Sequence, residues 1–203
     1  MNTPEAESDL GVDLDLDLDA GTAAPHTEPE DGPVGYRRIG ARRYREVVGR
    51  YYEEFVVGDV VEHRPGRTVT ELDNVLMSML SMNDAPLHID AAYSAHTPWG
   101  RPIVSSLVTL SIVGGMTARS TSGRTIANLG WQNIRMTHPV FTGDTLYAQS
   151  ETLAKRLSGS RPGQGIVSCR TTGTKSTGEV VIVFERVFLV PLRGHGLDEV
   201  ANY

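Results

Sequence analysis

The chain has 203 residues, 39% apolar and 22% charged, a globular mixture long enough for one domain with a sizeable core. No apolar run approaches the ~20 residues of a membrane span, and the single cysteine, Cys169, excludes an internal disulfide and a cysteine-built metal site. The net charge of -6 is uneven: residues 1–31 hold ten of the 25 acids and no Lys or Arg, which leaves the remainder near +4. That balance suits a polyanionic small molecule such as a phosphate-bearing thioester carrier, and is too small for a dedicated nucleic-acid binder.

Residues 1–34 read as a low-complexity acidic leader. The Asp-Leu alternation from Asp13 to Asp19 has strand period, but isolated leucines among like charges do not offset the entropy of ordering. A weak cation trap or an acidic-hydrophobic docking segment are the functional readings; a solvated, disordered tail is the expectation. The leader carries acid where a signal peptide carries base and lacks its apolar core, so a cytoplasmic, non-membrane protein is expected. Residues 35–50 form an Arg-rich arm with six Arg between Arg37 and Arg50. It reads as an arm over the domain, a patch for carrier phosphates or, by default, a solvated face.

The globular pattern occupies residues 51–192, with a short tail over 193–203. Phe55 to Glu62 and Arg67 to Val69 read as short strands. Thr70 is an N-cap, with Asp73 in the first turn of a helix that presents Val75, Leu76, Met79 and Leu80 and ends near Met82. A polar loop, Asn83 to Asp90, follows. The next helix, about Val104 to Ala118, is apolar nearly all round and should be buried. Beyond Gly123 the period becomes that of strands: Ile126 to Leu129, Gln132 to Met136, Thr145 to Leu153, Ile166 to Gly173 and Val180 to Val190, the last two joined by a hairpin over Thr174 to Glu179. Helix first and antiparallel strands after imply an α+β fold, a sheet wrapped around one central helix.

One constellation carries chemistry. The loop Ser81 to Asp90 packs Asn83, Asp84, His88 and Asp90 around Pro86, and the segment Pro102 to Leu107 leads into the buried helix. A buried helix N-terminus offers unpaired N–H groups and a positive dipole end, and a titratable histidine beside it is what enolate chemistry next to a carbonyl requires. Each piece also has a plainer reading. A lone loop histidine is often an ordinary polar residue, Asp90 suits the N-cap of a turn at Ala91 to Tyr93, and Ser105 and Ser106 suit helix caps.

At these residues the chain resembles the MaoC-like, hotdog-fold (R)-specific enoyl-CoA hydratase/dehydratase family, over about Gly49 to Leu192. The family places an Asp five residues before a His, then Leu or Ile and Asp, and an aliphatic-His-Gly-Met segment at the start of the central helix. Here Pro86-Leu87-His88-Ile89-Asp90 and Pro102-Ile103-Val104 match, as do Pro139 to Leu146 and Gly178 to Val181. Asn83 stands where the Asp is usual, Ala85 where Asn is usual, and Ser105-Ser106 replaces His-Gly. These departures resemble the subgroup that hydrates mesaconyl-CoA, itaconyl-CoA and related branched dicarboxylic thioesters.

The resemblance implies a hotdog fold and an acyl-thioester hydratase/dehydratase, with a C4–C5 dicarboxylic acyl-CoA as favoured substrate and a homodimer or higher homo-oligomer as the assembly. The expected catalytic residues are His88 as base, Asn83 to orient water and Asp84 as a second acid/base, with Ser105 and Ser106 N–H groups holding the thioester oxygen. Asn cannot titrate, so Asn83 cannot be the base. Arg67 and Arg101 are the sequence neighbours available for a distal carboxylate, and Trp131 either lines the acyl pocket or packs under it. No metal, no cofactor, no nucleic acid and no membrane is expected. Two rivals stay open: a tailoring dehydratase acting on a carrier-bound or free acid, and a non-catalytic thioester-binding protein. A thioesterase is disfavoured because no carboxylate stands at the helix start.

Overall fold

A computed structural model describes Gly35 to Asp198 together with Val200 and Ala201. The acidic leader expected over residues 1–34 lies outside the described residues. Two compact units divide between Glu46 and Val47. In the first, β1 (Tyr36–Gly40) and β2 (Arg43–Glu46) pair as an antiparallel hairpin, with Arg37 opposite Arg45 and the Arg38 guanidinium over the Tyr44 ring. Much of the Arg-rich stretch is therefore strand.

The second unit runs β3 (Val60–Thr68), α1 (Glu71–Ser81), α2 (Pro86–Ile89), α3 (Ala91–Ser94), α4 (Ser106–Met116), β4 (Ala127–Met136), β5 (Thr145–Leu157), β6 (Gln164–Lys175) and β7 (Val180–Pro191). The five strands form one antiparallel sheet in the order β3-β5-β6-β7-β4, and α4 packs against β3, β5 and β6. This is the expected α+β hotdog fold.

Alternation along the long strands sends one face inward. Leu146 and Ala148 of β5 and Ile182 and Phe184 of β7 are buried with Val108 and Val113 of α4, and Val167 and Cys169 of β6 are buried against Phe55. At Gly173 of β6 a Cβ would stand 2.7 Å from side-chain carbons of both Val113 and Ile182, so only glycine lets the helix approach this closely.

Several elements differ from the sequence expectation. The two short strands around Phe55 and Arg67 are replaced by one strand, β3, that runs through Pro65 with a register shift between His63 and Arg67. Such irregular pairing is how an edge strand accommodates proline. The two strands expected between Ile126 and Met136 are one, β4, because register shifts and a left-handed Asn133 (φ 52°) absorb the break in alternation. α4 starts at Ser106 and stops at Met116, with a wide helical turn over Ala118–Ser122 beyond it. It is buried on one face, through Val108, Thr109 and Val113, while Leu107 is 41% exposed. The largest difference lies in α1. Its inward residues are Asn74 and Ser78, and the apolar Leu72, Val75, Leu76, Met79 and Leu80 face out, with Leu80 81% exposed.

The core has two apolar clusters. One gathers around Val108, Val113 and Phe184, the other around Phe55, Val167, Cys169 and Phe188. Between them on the sheet lies a polar chain. His63 is 2% exposed; its Nδ1 meets Ser120 Oγ at 2.7 Å, its Nε2 meets Ser150 Oγ at 2.8 Å, and Ser150 meets Thr171 Oγ1 at 2.8 Å. Hydroxyls both donate and accept, so they satisfy a neutral imidazole of either tautomer. Burial, then the nearby Arg50 and Arg64, pushes the imidazole from 6.5 down to about 4. Burial likewise pushes the Cys169 thiol up to about 11.

The His63 shift links stability to pH. The unfolded chain takes up a proton near pH 6.5 that the fold refuses until about pH 4. The stabilisation is thus complete above 6.5 and lost as pH falls through 4, by about 3 kcal/mol from this residue. Urea unfolding measured between pH 7 and pH 4 should show that loss, and His63→Gln should flatten the curve in the same window.

Candidate active site

The loop between α1 and α3 is built to hold one side chain. Ala85 has the extended backbone that a residue before proline adopts (ψ 125°), and Pro86 opens α2 at its first position. The polar loop expected here is thus partly helical. Asp90 ends α2 and caps α3, its Oδ1 accepting from Tyr93 N–H at 2.9 Å, the N-cap role expected of it. Ser94, fully buried, donates back to the carbonyls of Pro86 and Leu87.

His88 projects from α2. Its Nδ1 lies 2.9 Å from the Ile103 carbonyl oxygen. A carbonyl only accepts, so Nδ1 carries the proton and Nε2 keeps the lone pair. The Ile103 segment is itself fixed by Ile103 N–H donating to Leu87 O (3.2 Å) and Val104 N–H donating to Val140 O (2.8 Å). Asn74 of α1 joins the two halves: its Nδ2 donates to His88 O at 2.6 Å, and its Oδ1 accepts from Ser105 N–H at 2.9 Å.

Ser105 is the N-cap of α4, its Oγ accepting from Leu107 N–H at 3.3 Å. Asn74 takes the Ser105 N–H, and the Ser105 carbonyl accepts from Val108 N–H and Thr109 N–H. Ser106 N–H, the first of the helix, has no hydrogen-bond partner among the described residues. Of the two serines, Ser106 alone presents an open backbone donor.

His88 and Ser106 line one pocket of about 360 Å³. Trp99, Ile103, Val104 and Thr109 continue the wall, and Met136, Thr137, His138, Pro139 and Val140 close its far side. Asn83 and Asp84 are not part of this wall. Asn83 Oδ1 accepts weakly from Ala85 N–H (3.4 Å), and Asp84 is exposed. Arg67 lies at a different groove, of about 370 Å³ between α1 and α4, and pairs with Asp73. Burial favours a higher pKa at Asp73, but the Thr70 N–H and Arg67 outweigh it and hold the carboxyl below its usual value. Arg101 stacks on Phe141 with 4.0 Å between guanidinium carbon and ring centre. Trp131 packs on Phe184 (ring centres 4.8 Å apart) and is outside the His88 wall.

Sequence reasoning missed three residues. His138 was passed over although it precedes the Pro139 to Leu146 motif; its Nδ1 donates to Val180 O at 2.7 Å, and Glu179 is 3.9 Å from its Nε2. Thr109 looks like a stray polar residue in an apolar helix, yet it stands one turn from Ser106 in the pocket wall. Asn74 had no sequence signal beyond being polar among apolar neighbours.

Residues 54–174 match the family profile described as MaoC like domain. The chain belongs to the MaoC-like family. It is 30% identical to the mesaconyl-CoA hydratase of Cereibacter sphaeroides over 71% of this chain and 42% of that one. It is 26% identical to an (R)-specific enoyl-CoA hydratase of Rhodospirillum rubrum over 73% of this chain and 97% of the other. Among solved structures, a MaoC domain protein of Chloroflexus aurantiacus superposes with a TM-score of 0.68 at 30% identity, over 71% of this chain and 41% of that one. The chain thus spans about two fifths of the length of the mesaconyl-CoA hydratase it matches. Among the described residues no helix is long and apolar enough to cross a membrane.

The capping geometry is open to test. Ser105→Ala should cost about 1 kcal/mol in chemical denaturation through loss of the α4 cap.

Proposed function

We propose that this MaoC-like domain adds water to, or removes it from, the α,β double bond of an acyl thioester, with a branched C4–C5 dicarboxylic acyl-CoA as substrate. The observation that carries the reading is His88 with its proton held on Nδ1 by Ile103 O, in one pocket with the open Ser106 N–H at the start of α4. Two of its relatives are by name hydratases of acyl-CoA thioesters, mesaconyl-CoA for one and an enoyl-CoA for the other.

In the hydration direction His88 Nε2 takes a proton from water, and the resulting hydroxide adds to the β-carbon. The electron pair moves to the thioester oxygen, and Ser106 N–H and the α4 dipole hold that enolate. The protonated His88 returns a proton at the α-carbon, so one water is consumed and the imidazole is regenerated. Asn83 stands outside the pocket wall with no partner among the described residues on its Nδ2, and as an amide it cannot take the proton of water. Asp84 is the remaining loop carboxylate. A distal carboxylate would meet His138, Thr137 and Thr109, which stand in the same wall, since Arg67 and Arg101 do not.

We assign the active form to a dimer of this chain. β4 is an edge strand with Leu129, Ile134 and Met136 exposed, its end borders the His88 pocket, and the apolar face of α1 has no cover in the described chain. A long apolar edge of this kind calls for pairing.

Two measurements test these statements. Mass spectrometry of mesaconyl-, itaconyl- and crotonyl-CoA incubated with the protein should show one water gained on the dicarboxylic thioesters, and His88→Ala should lose turnover by ~10²–10⁴-fold. Gain on crotonyl-CoA alone would remove the dicarboxylate from the reading, and full activity of His88→Ala would remove the mechanism. Sedimentation should give twice the chain mass, with Ile134→Glu shifting the protein to monomer; a monomeric parent would sink the dimer.

A further inference from the structure

Asn74 makes two bonds that bear on the proposed chemistry from a distance. It is 5% exposed on the inward face of α1 and does not itself line the pocket. Its amide spans two backbone groups that belong to different parts of the site. The Nδ2 donates to the carbonyl of His88, and the Oδ1 accepts from the N–H of Ser105. Each partner has a fixed role, since a carbonyl only accepts and an amide N–H only donates. The two together therefore settle which end of the side chain is oxygen and which is nitrogen.

We propose that Asn74 is a positioning residue for the hydration site, one that sets the spacing between the His88 base and the Ser106 N–H. The inference rests on the function proposed above. A planar fork with one donor and one acceptor is what the two backbone groups need. Aspartate, when ionised, offers acceptors only, glutamine is a methylene too long, and serine reaches from a single atom. The fork has a second effect. By occupying the Ser105 N–H it leaves Ser106 as the only unpaired backbone donor at the start of α4 among the described residues. A thioester oxygen thus meets one donor at one place. The His88 imidazole is held by Ile103, directly before the Val104–Ser105 segment that Asn74 grips, so the backbone tie and the ring's own bond share a frame. Catalysis that depends on such a frame is steep in distance: a displacement of about 1 Å costs on the order of 100-fold.

The test is Asn74→Ala beside the near-isosteric Asn74→Asp, which retains an acceptor for Ser105 N–H and removes the donor to His88 O. Three readouts are needed: turnover of the thioester hydrated by the parent, thermal unfolding, and ¹⁵N NMR of the His88 ring. The parent ring should show a proton on Nδ1. Asn74→Ala should lower kcat by about 100-fold with KM within about threefold, and its His88 signals should move toward a mixture of tautomers. Asn74→Asp should fall between the two in kcat, with an unfolding temperature below the parent's because its second oxygen faces the His88 carbonyl. Unchanged kcat, or a fall in stability with the His88 tautomer untouched, would overturn the proposal and leave Asn74 a structural residue. Where the parent turns over no thioester, the hydratase reading fails, and the ring spectra alone decide whether Asn74 positions His88.

Discussion

The seat of α4 on the sheet depends on a missing side chain. With no Cβ at Gly173, Val113 of α4 and Ile182 of β7 occupy the space a side chain would fill, and the helix lies near enough for its N-terminus to face the α2 turn. A methyl at that position would lift α4 by several tenths of an ångström at least, and a packed core transmits such shifts. Every polar feature of the site is referred to the start of this helix: the Ser105 cap, the open Ser106 N–H, the Asn74 fork and the Ile103 carbonyl that orients His88.

The site is assembled mostly from backbone. Carbonyls fix the tautomer of one histidine and the orientation of one amide, and the N–H of Ser106 is left open at the pocket. Backbone groups do not titrate, so their part of the arrangement holds across the range in which an imidazole changes charge. It also tolerates side-chain replacement at the helix start. Ser105-Ser106 stands where relatives of the hydratase family carry His-Gly, yet the cap and the open donor are both present here.

Much of the fold was legible because burial in a sheet leaves a period of two, which β5 and β6 keep, while β7 is an apolar run too short for anything but a buried strand. Thr70, Asp90 and Ser105 were legible as caps, since a hydroxyl or carboxylate before a helix has one obvious use. β4 was not, because Asn133 in a left-handed conformation breaks the alternation without ending the strand. α1 misled in a more instructive way. Its apolar stripe is real, but tertiary demand for the Asn74 amide turned the polar side of the helix inward. Within the site, His88 and the helix start were legible from motif and spacing. His138 and Thr109 were not, because which strand ends reach a pocket is a property of topology and leaves no local pattern.

Cys169 has a use that its burial supplies. Burial pushes the thiol up to about 11, which keeps it protonated at neutral pH, and its neighbours are the ring of Phe188 and the hydroxyl of Thr152. No other cysteine exists in the chain. The protein is in effect silent toward maleimides and iodoacetamide as it stands. A cysteine introduced on the outward face of α1 or along β4 would be the single labelling site, so a spin label or fluorophore could report on those surfaces without first removing a native residue.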